Sequence, residues 1–473
     1  MSNVECRMQW PMGAPESGVV YETILLNKDP HSSFDIPHST LQRHLSTFDA
    51  SMLIVGAVIG SGIFLVPASI ASQVTNPPWF LAVWAGAGIL TFLGTLTYAE
   101  LATRLPATGG MYVFIREAFG DLAGYLYGWT LLLVIQTGAV AALSSAFSIY
   151  MAYFIPLSSS ARKALAIVVV SCLSAINCVG ILLGTRVQNF LTIAKIATLG
   201  ALILFGFALP GGKVANFAGT GNIPPLRGLG IATLAALFAY EGWQFITFTL
   251  GEMKAPEKTG PRALGLGCGI IIWIYLLLNL AYLYRLPIGQ LATSERVSTD
   301  VAEQVFGPTG GSFIAASILV AALSSINANI LMGSRVYFAL ARDGLFFQLV
   351  GKLHPRFGTP CYSILLQAGW SFLLVLTGTF QQLFLFATFG AWIFHCLTAA
   401  SLFRLRARKT GEDGHIFRVP GYPLPPVVFI LVSISIVAST IVSDPLRSCM
   451  GIAIIGSGVP VYFFWKRRRN IAG

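Results

Sequence analysis

The sequence predicts an all-α integral membrane protein of twelve transmembrane helices, and three observations predict it. The chain is 55% hydrophobic and 10% charged, with a mean hydropathy of +0.73, whereas a soluble chain carries roughly 25% charged residues. Its apolar residues gather in twelve runs, and about 20 such residues cross a bilayer core. Its basic residues are shared very unequally between alternate loops. A soluble, disordered or fibrous chain is thereby excluded. The 48 glycines and 24 prolines do not argue for disorder, because both are frequent in membrane helices.

Residues 1–46 hold acids, histidines and prolines but no apolar stretch behind a basic start, so they read as a cytoplasmic segment and not a secretory signal. The first run, 49–73, is interrupted at Gly60-Ser61-Gly62 and carries Pro67. Two glycines around a serine weaken a helix by about 1 kcal/mol each. An unwound point at membrane depth is tolerated where it is buried in protein or lines a cavity. The half-helix that starts there offers free N–H groups and a positive dipole end, which suit a carboxylate. Runs at 79–103, 118–152 and 163–183 follow, then a fifth at 187–209 and a sixth at 228–251. The sixth holds Glu241 beside Gly242, a second interruption. Breaks five helices apart are the spacing of two inverted five-helix repeats with the substrate at the midplane. Runs at 264–287, 312–336, 362–378 and 381–403 complete a ten-helix core over 47–404. A cytoplasmic loop at 405–424, two further helices at 425–443 and 446–465, and a basic tail at 466–473 end the chain.

Twelve spans put both termini on one side, and the positive-inside rule chooses it. Loops on the terminal side hold 22 Lys and Arg, those on the other side 7, so both termini are expected to be cytoplasmic. The cluster Lys466, Arg467, Arg468 and Arg469 holds the last helix against anionic lipid rather than binding nucleic acid. The net charge of +11 is thus a topology signal. The one basic residue left over from the 30 is Lys195, in the middle of the fifth run. A lysine at that depth costs about 3 kcal/mol against lipid, so it should face the bundle interior with a partner. Of the acids, Glu100 and Glu252 lie near cytoplasmic helix ends and read as loop stabilisers, while Glu241 sits at mid-span.

The seven cysteines show no ligand spacing and read mostly as small buried hydrophobes. No metal site, cofactor or catalytic residue is expected. His31, His38, His44, His354 and His415 lie in polar segments or loops, and His395 in span ten reads as a packed residue. A channel would carry a repeated charged or carbonyl-rich filter, and none is present.

Five motifs, in order, resemble the L-type amino acid transporter branch of the amino acid–polyamine–organocation superfamily, over about residues 45–465. Gly56–Phe64 resembles the family's first helix, and Leu96–Pro106 with Gly109 and Gly110 its second helix and loop. Ala175–Cys178, Thr185–Gln188 and Lys195 resemble the entry to the fifth helix. Glu252, Pro256, Pro261 and Arg262 resemble the loop after the sixth, and Ser334–Arg335 through Ala341–Gly344 the end of the eighth. The resemblance implies a leucine-transporter-type core of five plus five inverted helices with two C-terminal helices added, in the plasma membrane.

It also implies roles. Ser61, Gly62 and Ile63, led into by Ile59 and Gly60, match the backbone that receives the α-carboxylate of an amino acid. Phe238, Ala239 and Glu241 match the segment that receives the α-amino group, with Phe238 at an aromatic gate; Trp243 is assigned to the same site. Lys195 matches a lysine that replaces a sodium ion near the first break, with Ser325 and Asn329 as coupling partners. Trp392 matches a residue near the pocket, with a core role as the alternative. Three departures stand out: an acid at 241, Gln244 for a common Asn, and Asn329 for a serine that partners the lysine. Animal members use a cysteine between spans three and four to join an ancillary glycoprotein; Ile155–Ala161 has none, so no disulfide-linked subunit is expected.

The reading is a sodium-independent amino acid transporter, an exchanger or a proton-coupled permease, with capacity for cationic and neutral substrates. Three options stay open for Glu241: binding a cationic side chain, carrying a proton for neutral substrates, or pairing with a polar neighbour. Pairing with Lys195 is also open. An amino acid sensor on a transporter fold is the alternative from another class.

Overall fold

The computed structural model describes residues 41–60, 62–219, 221–294, 296–377, 380–409 and 416–472. Ser61, His31, His38 and His415 lie outside the described residues, and the segment 1–46 is described only from Leu41.

Among the described residues the apolar runs fall on helical structure, some on a single helix and others across a break. In chain order they are α1 (Thr47–Val58), α2 (Gly62–Gln73), α3 (Pro77–Arg104), α4 (Met111–Phe119) and α5 (Asp121–Thr130). A π-turn at Leu131–Ile135 joins α5 to α6 (Gln136–Met151), which is followed by α7 (Ser159–Val179), α8 (Ile181–Ala208) and α9 (Leu226–Ala239). After a 3-10 stretch over Trp243–Glu252 come α10 (Pro256–Arg285), α11 (Ile288–Thr293), α12 (Val297–Phe306) and α13 (Gly310–Arg342). The last are α14 (Cys361–Thr377), α15 (Phe380–Ala407), α16 (Leu424–Ser443) and α17 (Pro445–Ala472). Among the described residues, nine helical stretches are long and apolar enough to cross a membrane, and α1 with α2, bent by 49°, makes a tenth.

Local chemistry sets the ends. Ser46 and Asp49 form a capping box at α1: the Ser46 hydroxyl accepts from the Asp49 amide at 3.2 Å, and the Asp49 carboxylate accepts from the Ser46 amide at 3.0 Å. Prolines open α3 and α10, where a missing amide hydrogen costs nothing. The sixth run breaks at Gly242, whose φ of +119° is a left-handed conformation that glycine adopts without strain.

Helix α1 lies in the centre, packed on α8, α10 and α13, with α3 behind α10 and α16 behind α15. Its approach to α8 depends on Gly56, where a Cβ would come within 1.8 Å of Gln188 Nε2. Just before α1, the amides of His44 and Leu45 donate to the Glu252 carbonyl, and Lys254 donates back to Leu45. The two ends of the first and sixth runs are thereby tied together on the N-terminal side.

Two features differ from the sequence reading. The α10–α13 connection folds into α11 and α12, too short to register as spans; Ser298 of α12 bonds Tyr282 at 2.6 Å and reaches the Phe64 carbonyl of α2 at 3.4 Å. The cysteines are also less buried than expected. Cys268 is buried, but Cys172 and Cys449 are exposed and Cys178, Cys361 and Cys396 are half-buried, because an apolar run places a cysteine on an outward face as readily as on the core.

Candidate functional site

The geometry centres on the break between α1 and α2. Helix α1 ends at Val58, and the Gly60 amide turns back to the Val58 carbonyl at 2.8 Å instead of continuing the ladder to Gly56. The last carbonyls of α1 therefore need another donor. Lys195, at the middle of α8 and fully buried, supplies it. Its Nζ donates to the Gly56 carbonyl at 2.9 Å and to the Ile59 carbonyl at 2.5 Å, and lies 3.5 Å from Ser325 Oγ. Ser325 adds a bond of its own to the Gly56 carbonyl at 2.8 Å. A cation at the negative end of a helix dipole, ligated by carbonyls and a hydroxyl, is what a bound monovalent ion would provide.

Asn329 does not join this group. One turn along α13, its Oδ1 accepts from Gln136 Nε2 at 2.9 Å and its Nδ2 donates to the Ser325 carbonyl at 2.7 Å, so its carboxamide is already engaged. Below the lysine a buried polar chain joins α7, α8 and α13. Asn177 donates to Asn327 at 2.7 Å, Asn327 to Gln188 at 2.9 Å, and Gln188 to Thr192 and Ser324 at 3.0 Å.

The second break lies directly against the first. A Cβ built on Gly62 would sit 3.5 Å from Ala239 Cα and 3.8 Å from the Phe238 ring, and one on Gly242 would sit 3.4 Å from the Ala57 carbonyl. Tyr275 of α10 spans both: its hydroxyl is 3.0 Å from the Ala239 carbonyl and 3.3 Å from the Val58 carbonyl. Sequence reasoning missed Tyr275, which is one tyrosine in an apolar run with nothing local to mark it.

Glu241 occupies this break and is 19% exposed at its side chain. One oxygen, Oε1, takes two bonds, from Gln244 Nε2 at 2.7 Å and from His395 Nε2 at 2.8 Å. His395, on α15, is buried, and its Nδ1 lies 2.8 Å from the Tyr98 hydroxyl of α3. An ionised Glu241 only accepts, which puts a hydrogen on Nε2; in the neutral ring Nδ1 then accepts from Tyr98. His395 is packed, as its apolar surroundings suggested, but it is also the partner of Glu241. No Lys195–Glu241 pair forms among the described residues. Trp243 and Trp392 are buried and pack around the histidine with Phe429, at ring-centroid distances of 6.3, 5.2 and 5.9 Å. Trp243 thus lies behind Glu241 in an aromatic cluster, edge-on to Tyr98 at 4.9 Å. Ile59, Gly60, Ile63 and Ala239 are buried, and Gly62 and Phe238 half-buried.

The other deep acids are held elsewhere. Glu252 makes a two-pronged pair with Arg335 of α13 at 2.7 and 3.0 Å. Glu100 binds Arg104 at 2.9 Å, Arg406 and the Val419 amide. At the same end, Arg116 and Tyr112 of α4 both bond Asp343.

Residues 45–460 match the amino acid permease family. The chain belongs to that family. It is 33% identical to the serine/threonine exchanger SteT of Bacillus subtilis over 91% of this chain and 98% of SteT. It is 29% identical to the human cystine/glutamate transporter over 93% of this chain and 88% of that one. To the mouse b(0,+)-type amino acid transporter 1 it is 28% identical, over 93% and 91%. This permease therefore sits among the L-type transporters of the amino acid–polyamine–organocation superfamily; it is a membrane transport protein and not an enzyme.

Proposed function

We propose that this permease carries amino acids across the plasma membrane by alternating access and without sodium. The observation that carries the reading is the Lys195 ammonium against the Gly56 and Ile59 carbonyls. A fixed charge there leaves no vacancy for a coupling ion. A helix start carries N–H groups without intrahelical partners, and in this reading those of Ser61, Gly62 and Ile63 would receive the α-carboxylate. The carbonyl end of α9 at Phe238 and Ala239 would receive the α-ammonium.

Glu241 extends the substrate range to cationic side chains in this reading. Oε1 is engaged twice, and Oε2 has no partner among the described residues. That oxygen is available to an incoming guanidinium or ammonium. A second reading, proton-coupled uptake of neutral amino acids, is favoured by the His395–Glu241 contact, since a histidine bonded to a carboxylate can pass a proton to it.

The helices would make twelve crossings in the five-plus-five inverted arrangement, with residues 1–46, 405–424 and 466–473 on the cytoplasmic side. The excess of basic residues on that side supports this. No disulfide-linked subunit is proposed, because Ile155–Ala161 holds no cysteine.

The test is exchange in proteoliposomes preloaded with unlabelled amino acids. Labelled arginine, leucine, serine and glutamate are followed with and without sodium or a pH gradient. Arginine and leucine entry that is indifferent to sodium is the expected result. Absence of flux for every amino acid defeats the transporter reading, and strict sodium dependence defeats the role given to Lys195.

A further inference from the structure

Cys178, next to the last residue of α7, and Cys361, the first residue of α14, are 183 residues apart in sequence, yet their sulfurs lie 2.7 Å from each other. We infer that this pair is a redox-responsive cross-linking site that closes to a disulfide when the protein meets a peroxide. The proximity does not rest on the two side chains alone. Thr359 Oγ1 donates to the Cys178 carbonyl at 2.6 Å, and the Cys361 amide donates to the Thr359 carbonyl at 2.9 Å. The backbone on both sides is thus pinned, and α7 and α14 pack along their lengths. Both thiols are half-buried, so a small oxidant reaches them, and the sulfurs need only a small side-chain rotation to bond.

The chemistry balances with hydrogen peroxide as oxidant. One thiol takes an oxygen atom from the peroxide, giving a sulfenic acid and one water. The second thiol attacks that sulfur; the S–O bond breaks, and hydroxide leaves with the second thiol's proton as another water. Two thiols and one peroxide thus become one disulfide and two waters. Among the described cysteines no other sulfur–sulfur contact is seen, and the Cys268 sulfur accepts instead from Thr95 Oγ1 at 3.1 Å.

The position gives the staple a consequence. Val179, Gly180 and Ile181, which follow Cys178, and Arg356, Phe357 and Gly358, which precede Cys361, line one cavity of about 350 Å³. Gln42 and His44 border it as well, so it opens on the side where the chain enters α1. The disulfide would hold two walls of that cavity together. On the proposed topology this side faces the cytosol, where thiols are kept reduced until oxidant rises.

Purified full-length protein, treated with hydrogen peroxide, is alkylated and digested for mass spectrometry without reduction. The expected result is a linked peptide pair containing Cys178 and Cys361, two hydrogen atoms lighter than the sum of the parts, which disappears on reduction with dithiothreitol. In C178S and in C361S the link should vanish, while the remaining cysteine is alkylated or oxidised beyond a disulfide. Recovery of both cysteines as free, alkylated thiols in the oxidised wild-type protein would overturn the proposal. So would their linkage to other cysteines. This readout needs no transport and is independent of membrane orientation, so its failure leaves the amino acid transport reading standing, and the converse holds as well.

Discussion

His395 Nε2 lies 2.8 Å from Glu241 Oε1, and through its other nitrogen the same ring reaches the Tyr98 hydroxyl at 2.8 Å. A buried imidazole on α15 therefore fixes the orientation of the acid at the break after α9, and it does so from a helix 154 residues away in the chain. Trp243, Trp392 and Phe429 leave the ring little room to turn.

Two substitutions separate the roles of this pair. Glu241→Gln keeps the size of the side chain and removes the charge; arginine uptake should fall about tenfold or more relative to leucine, since a charged hydrogen bond contributes roughly 1.5–3 kcal/mol. His395→Gln can still donate to Glu241 but passes no proton. If Glu241 serves cationic substrates, His395→Gln changes the KM for arginine and leaves the response to a pH gradient as it was. If Glu241 is a proton carrier, the same variant loses gradient-driven leucine uptake.

Lys195→Gln should reduce uptake of every substrate at least about tenfold, because the Gly56 and Ile59 carbonyls lose a charged donor, and a hydrogen bond to a charged group contributes roughly 1.5–3 kcal/mol. Size-exclusion profiles in detergent should stay monodisperse. Addition of sodium should restore part of the flux if the ion takes the vacated place; a variant that transports at the wild-type rate in sodium-free buffer would remove Lys195 from the mechanism.

Tyr275→Phe deletes one hydroxyl that stands between the Ala239 and Val58 carbonyls. Loss of a bond worth about 1 kcal/mol should alter the coupling of the two breaks more than the fold. Transport rates several-fold lower, with a melting temperature within a few degrees of wild type, are expected.

Gly56→Ala is a packing test. The added methyl would meet Gln188 Nε2 at 1.8 Å and Thr192 Oγ1 at 2.7 Å, with Ser324 Oγ at 2.9 Å. Overpacking of this kind costs about 1–3 kcal/mol, and here it also disturbs the polar chain that holds α8 against α13. A lowered melting temperature in detergent, with loss of uptake, is expected.

Glu252→Gln removes one side of a buried ion pair and leaves Arg335 buried without a counter-charge. Breaking such a pair costs about 3–5 kcal/mol. The variant should express poorly or melt well below the wild-type protein, and Glu252→Gln combined with Arg335→Met should recover part of the loss.

Much of the helical framework is legible in the one-dimensional pattern because a bilayer imposes a length and a composition on each span. The interruptions are legible too, since glycine pairs at Gly60 and Gly62 and the glycine at 242 announce themselves locally. So are Lys195 and Glu241, each conspicuous as a charge in an apolar run. The short helices α11 and α12 are not, because six and ten residues of mixed polarity leave no periodic signal strong enough to separate from a loop. Nor is Tyr275, or the meeting of Cys178 with Cys361, because nothing in an apolar run says which face turns inward.

Sequence alone, then, determined that this chain lives in a membrane, where its long apolar helices run, and which two charges are out of place. Those follow from transfer energies that act residue by residue. The partners of the two charges were decided by tertiary structure. Lys195 could have met Glu241 or Asn329; folding placed it on the carbonyls at the end of α1. Glu241 could have stood alone; folding gave it His395. Pairing of this kind depends on how distant helices pack, and burial forces each charge to take the nearest group that can satisfy it.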